Sequence, residues 1–308
     1  MKFAIVGSGG TGGTIGAYLA LAGNDVTFIA RGRHLAAIRE KGLTVRTSHR
    51  GDILIRPAKV CTMEEYEDAP DVMFVCVKYY GLEDAIALAG RTAGPDTLVV
   101  PILNVFGTGE VMQKRLPQLT CLDGCMYIFA KILEPGVIEQ PEKLLRILFG
   151  FRPGQEDRLA PKARELENVL RGAEIRGHFS DNIRRDALQK FAFVSPMGAA
   201  GLYFDAVSDD FQHEGQEREM FVGLVKEVAA LGSAMGLVFE KDLVETGLKL
   251  MDAFRPGLRT SMQRDVLAGG PSEFDGLVNR IVALGKEYGV PVPLYEKVSA
   301  WGRDRGIR

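Results

Sequence analysis

Gly7, Gly9 and Gly12 fall in the run Gly7-Ser8-Gly9-Gly10-Thr11-Gly12, directly after the apolar stretch Phe3-Ala4-Ile5-Val6. This spacing suits a pyrophosphate. The first glycine permits a tight turn, the second lets the backbone approach the phosphates, and the third lets a following helix pack close to the strand. A helical stretch from Thr14 to Ala22 follows, with small residues Gly16, Ala17 and Ala20. Its N-terminus offers unpaired N–H groups and the positive end of a dipole. The order strand, glycine turn, helix therefore predicts a dinucleotide site at Gly7, Ser8, Gly9, Gly10, Thr11 and Gly12.

A second apolar stretch, Val26-Thr27-Phe28-Ile29-Ala30, ends in Arg31-Gly32-Arg33. An acidic residue at this point would accept a ribose 2′-hydroxyl and repel a 2′-phosphate. Arg31 can pair with that phosphate. The expected cofactor is NADPH/NADP rather than NADH. Further along, Lys190 lies in Leu188-Gln189-Lys190-Phe191-Ala192-Phe193-Val194, an otherwise apolar helical stretch. Periodicity alone leaves two readings open, a lysine whose stem reaches solvent or one that faces a functional crevice.

Other chemistry is not indicated. The cysteines at 61, 76, 121 and 125 and the histidines at 34, 49, 178 and 213 have no zinc or metalloprotease spacing. No metal is expected, and no histidine is favoured as a catalyst. A net charge of −2 gives no electrostatic case for nucleic acid or a membrane surface. With no signal-peptide pattern and no membrane-length apolar run, a cytoplasmic protein is expected.

The elements that must position these residues divide the 308-residue chain in two. Residues 1–176 alternate strand and helix signals, the pattern of a Rossmann-type parallel sheet. Val72–Val77 and Thr97–Pro101 read as buried strands, Leu43–Arg46 and Ile53–Arg56 as a hairpin, and Cys125–Ile132 as one strand. The EEYED run at 64–68 reads as a solvated face. Residues 177–308 read as an all-α domain for substrate and dimerisation, with helices over 182–200, 218–235, 241–254 and 273–288. A homodimer is one assembly it admits. Ligands of doubly wound sheets sit at the carboxyl ends of the strands. That rule gathers Gly7–Gly12, Arg31, Lys78 and Asn104 at one crevice.

Several segments together resemble the ketopantoate reductase (2-dehydropantoate 2-reductase) family: AIVGSGGTGGTIGAYLA, FIARGRHLAAIREKGLTV, FVCVKYY, ILNVFGTGE, the helix around Lys190, RTSMQRDVLAGGPSEFD and GVPVPLYEKV. The resemblance covers most of the chain. It implies reduction of the ketone of 2-dehydropantoate to pantoate with NADPH, in pantothenate biosynthesis. It further implies that Lys78 and Ala130 contact the cofactor and that Asn104 lies between nicotinamide and substrate. Lys190 becomes the proton donor, Ser261 a substrate contact, and Glu273 a contact at the cofactor and active site. Read from the residues alone, the alternatives are a solvated strand-end lysine for Lys78, a turn residue for Asn104, a helix cap or turn residue for Ser261 and a first-turn acid for Glu273.

The chain also departs from this pattern. The family's Lys-x-x-x-Asn-x-x-x-Asn places three polar groups on one helix face. Here the positions are Lys190, Val194 and Gly198. Leu188 replaces a frequent tryptophan, and Val278 stands near an expected asparagine, with Asn279 adjacent. Ser195 offers a hydroxyl nearby, about 100° round the helix. The retained lysine predicts ketone reduction, while the lost amides leave two alternatives. One is a sister NADP-dependent dehydrogenase acting on a different 2-oxo acid or carbonyl. The other is a non-catalytic NADPH-binding sensor.

Overall fold

Strand alternation builds the N-terminal half. In the computed structural model, which describes residues 1–307, the first elements are β1 (Lys2–Val6), α1 (Gly10–Leu21), β2 (Asp25–Ile29), α2 (Gly32–Lys41), β3 (Leu43–Thr47), β4 (Gly51–Ile55), β5 (Lys59–Cys61) and β6 (Val72–Val75). Then come α3 (Leu82–Thr92), β7 (Leu98–Pro101), α4 (Thr108–Arg115) and β8 (Thr120–Cys121). Six strands form a parallel sheet in the order β5-β2-β1-β6-β7-β8. Both faces are covered, so its central strands are apolar throughout rather than alternating. Phe3 and Ile5 point to one side, where Ile15 and Leu19 of α1 cover them. Ala4 and Val6 point to the other, against Leu82 and Ile86 of α3. The strand order reverses beside β1, which is where such sheets bind ligands.

The segment read as one strand over Cys125–Ile132 is two. β9 (Asp123–Ile128) and β10 (Lys131–Glu134) belong to different sheets. β10 turns back at Gly136 into β11 (Val137–Gln140), which pairs parallel to β3, giving the sheet β10-β11-β3-β4. Ile138 of β11 packs on Gly13 of α1. β9 pairs with β12 (Leu145–Gly150), which pairs in turn with β13 (Arg176–Phe179) after α5 (Ala160–Gly172). In the acidic run at 64–68 the four carboxylate residues are exposed, but Tyr66 is buried against the α3 side of the sheet.

The chain divides into two units, residues 1–103 with 107–183, and residues 104–106 with 184–308. The second is helical: α6 (Ile183–Phe204), α7 (Gln216–Ala234), α8 (Leu243–Asp252), α9 (Ser261–Leu267), α10 (Arg280–Tyr288) and α11 (Pro293–Asp304). Phe193 of α6 meets Phe221 and Phe254 edge-on, at 5.8 and 5.3 Å between ring centroids. The buried Glu227 carboxylate accepts the N–H groups of Leu294 and Tyr295, which the first turn of α11 leaves without helical acceptors. Among the described residues no helix is long and apolar enough to cross a membrane.

Candidate active site

The glycine loop leaves the carboxyl end of β1 and is shaped by close approach. Gly7 has φ +90°, in the range that favours glycine. A β-carbon on Gly12 would lie 2.2 Å from the Gly7 carbonyl oxygen, so any larger residue would force α1 away from the strand. Ser8 is a structural member of the loop: its N–H and its hydroxyl both donate to the Ile29 carbonyl at 3.1 Å. Gly9 caps α1 with no side-chain bond, and the first turn holds no acid. A β-carbon on Gly9 would meet nothing within 4 Å, so the backbone there is open to a ligand. The Thr11 hydroxyl has no partner among the described residues.

Arg31 stands at the carboxyl end of β2 as the N-terminal flank of α2; its carbonyl accepts the Leu35 N–H at 3.3 Å, while its exposed guanidinium has no hydrogen bond or ion pair among the described residues. Lys78 follows β6 and precedes a single 3-10 turn at Tyr79–Gly81, whose Gly81 N–H donates to the Lys78 carbonyl at 2.8 Å. Ala130 meets the loop: a β-carbon on Gly10 would lie 2.7 Å from the Ala130 carbonyl oxygen. Open backbone, an uncapped helix and a partnerless guanidinium are a donor set that fits a dinucleotide bearing a 2′-phosphate. Below the loop, burial pushes the Cys76 thiol well above its ordinary range.

In the helical unit, Lys190 and Asn104 are brought together. The Lys190 ammonium donates to Asn104 Oδ1 at 2.7 Å. An ammonium has only donors, so the amide must present its oxygen, and its NH2 is left for another acceptor. Asn104 is held by its neighbours. Phe106 packs on Phe191 at 6.3 Å, and the Arg184 guanidinium lies 5.9 Å over the Phe106 ring. Both rings are buried.

Ser261 is the first residue of α9. The cap is Thr260, which exchanges bonds with Gln263 in a capping box, so the Ser261 hydroxyl is spared that task and has no partner among the described residues. Glu273 is 2% exposed. It lies one residue ahead of the first helical residue, Phe274, rather than in a first turn. A wide π turn at Asp275–Asn279 follows, and the Leu277 N–H donates to the Glu273 carbonyl at 2.8 Å.

Ser195 does not replace the missing amides. Its hydroxyl is fully buried and donates to the Leu277 carbonyl in the π turn at 2.5 Å, with Tyr295 Oη 2.6 Å away. A side chain at 198 would press on Met262: a β-carbon on Gly198 would lie 3.0 Å from its terminal methyl Cε and 3.8 Å from Thr260 Oγ1. Asn279 donates to Asp275 and accepts from Ser299. Sequence reading missed His34, whose ring joins residues 26 and 102 positions away. No local pattern encodes such distant partners.

Two family models match the chain, "Ketopantoate reductase PanE/ApbA" over residues 3–154 and "Ketopantoate reductase PanE/ApbA C terminal" over residues 182–303. The uncharacterized oxidoreductase YkpB of Bacillus subtilis (strain 168) is 25% identical over 300 residues, covering 97% of each chain. The crystal structure of a 2-dehydropantoate 2-reductase from Methylococcus capsulatus is similar with a TM-score of 0.86 at 24% identity, covering 98% of this chain and 96% of that one. A D-mandelate dehydrogenase in ternary complex with NADH and anilino(oxo)acetate is similar with a TM-score of 0.87 at 23% identity, covering 97% and 96%. With both models matched in order along the sequence, the chain belongs to the ketopantoate reductase family of oxidoreductases.

Proposed function

We propose that this protein reduces the ketone of a 2-oxo acid with NADPH, most simply 2-dehydropantoate to pantoate, and that Lys190 donates the proton. The observation that carries the reading is the 2.7 Å bond from Lys190 to Asn104, which holds an ammonium in place on an apolar helix. The dinucleotide supplies the hydride. The glycine loop binds its pyrophosphate through main-chain N–H groups, and Arg31 takes the 2′-phosphate. Lys78, Ala130 and Glu273 complete the cofactor contacts on this reading.

As hydride reaches the carbonyl carbon, the C=O π electrons move to oxygen. A Lys190 N–H directed at that oxygen stabilises the charge and then transfers its proton. The resulting amine regains a proton from water. The Asn104 oxygen orients the ammonium, while its NH2 and the Ser261 hydroxyl are donors for the substrate's oxygens. General acid catalysis of this kind is typically worth about 10²–10⁴-fold.

A specific observation favours a second reading. The helix face that carries Lys190 continues through Val194 to Gly198, where Met262 fills the space. The hydroxyl nearest Gly198, Thr260 Oγ1, is committed to Gln263, so a substrate hydroxyl lying along this face loses a hydrogen bond, at a cost of about 1–3 kcal/mol. A 2-oxo acid with an apolar side chain suits that face better. Purified protein and NADPH, followed by absorbance with 2-dehydropantoate and with a series of alkyl and aryl 2-oxo acids, separates the readings. Turnover of 2-dehydropantoate above the others supports the first, and turnover of apolar acids alone supports the second. Tight NADPH binding with no turnover of any acceptor contradicts both and leaves a sensor.

A further inference from the structure

His34 lies on α2, three residues beyond Arg31, and its half-buried ring bridges two segments of the first unit. The Gly136 N–H, at the turn between β10 and β11, donates to His34 Nδ1 at 3.1 Å. Nδ1 is therefore the acceptor nitrogen and carries no proton. The other nitrogen, Nε2, carries it and donates to the Ser8 carbonyl at 2.9 Å. Burial pushes the ring's pKa down, which favours the same neutral form.

The consequence falls on Gly9. A trans peptide is planar, with its C=O and N–H pointing in opposite directions. The Ser8–Gly9 bond is trans. Fixing the Ser8 carbonyl on His34 therefore aims the Gly9 N–H the other way. That N–H has no partner among the described residues, and the space beside Gly9 is open. Ser8 is 2% exposed, so without His34 its carbonyl would be buried with no donor, and rotation of the peptide plane would relieve it. The other end of the bridge anchors the hairpin. The Gly136 carbonyl accepts from Thr44 at 2.9 Å, and the residue that leads into the same hairpin, Ala130, lies against Gly10.

We propose that His34 is a positioning residue for the cofactor: by holding the Ser8 carbonyl, it aims the Gly9 amide at the dinucleotide phosphates. This rests on the reading of the glycine loop as the phosphate site. The test compares His34→Ala, His34→Asn and His34→Gln by fluorescence titration with NADPH, turnover at saturating NADPH, and thermal melting. Glutamine places a donor where Nε2 stands and can keep the Ser8 bond. Asparagine is shorter and can keep only the Gly136 bond.

The expected result is that the Kd for NADPH rises about tenfold in His34→Ala and His34→Asn. His34→Gln stays within about threefold of wild type. The kcat at saturating NADPH moves by less than about twofold in all variants that melt cooperatively, as orientation of one loop amide affects binding rather than proton transfer. Unchanged affinity in His34→Asn overturns the proposal, as does a His34→Gln that loses as much affinity as His34→Ala. Wild-type protein that binds neither NADPH nor NADH overturns the cofactor reading and this proposal together. Wild-type binding that all three variants leave untouched overturns this proposal alone.

Discussion

The loop after β1 and the Lys190 face of α6 are built from different materials. The loop works through its main chain. Gly7 and Gly12 shape it, Ser8 is fastened to Ile29, and the side chains are mostly absent. Main-chain recognition depends on glycine spacing, so it can be read from a sequence by eye. The α6 face works through side chains, and what those can reach depends on residues far along the chain. Val194 and Gly198 are apolar by type, but only the fold shows that Met262 closes the space at 198 and that Ser195 is committed to the π turn. Under the proposed function, the donor of the hydride is thus written locally, and the acceptor is written in tertiary contacts.

Substitutions can break this contrast. The largest effect is expected from Gly12→Val, because its side chain must displace the Gly7 carbonyl. NADPH binding measured by titration should fall below detection, and the melting temperature should drop, by an overpacking cost of about 1–3 kcal/mol. A variant that melts and binds NADPH like wild type would remove the close-approach argument. Next, Arg31→Ala removes a charge-assisted contact worth about 1.5–3 kcal/mol. The kcat/KM for NADPH should fall about 10–100-fold while that for NADH barely changes. Equal loss with both cofactors would show that Arg31 does not read the 2′-phosphate.

A smaller effect sharpens the acceptor side. Gly198→Asn alone should lower stability by about 1–3 kcal/mol, since its β-carbon meets the Met262 methyl group. Combined with Met262→Ala, the amide has room. The double variant should then favour a hydroxylated over an alkyl 2-oxo acid by about tenfold relative to wild type, one hydrogen bond's worth of discrimination. An unchanged preference would mean that the face does not line the substrate.

Legibility followed the same division. β1, α1 and β2 were evident because buried parallel strands are continuous apolar runs and the glycines mark the turn. The change of sheet between Ile128 and Lys131 was not, because the apolar run continues through it and β11 finds its partner β3 about ninety residues back. Four long helices were anticipated from periodicity. α9 and α11 were not, although Thr260-Ser261-Met262-Gln263 is a capping box and Pro293 stands at the first position of α11, both readable signals. Among the site residues, Lys190 was ambiguous by periodicity, and the bond to Asn104, eighty-six residues away, could not be inferred from spacing.

In the proposed reaction Lys190 supplies the proton while the glycine loop and Arg31 hold the hydride donor. Single-turnover oxidation of NADPH by wild type and Lys190→Ala, using the best acceptor and with NADPH affinity measured in parallel, tests it most directly. The rate should be about 10²–10⁴-fold lower in the variant, with NADPH binding unchanged. A Lys190→Ala protein that binds NADPH normally and keeps most of the wild-type rate would contradict it.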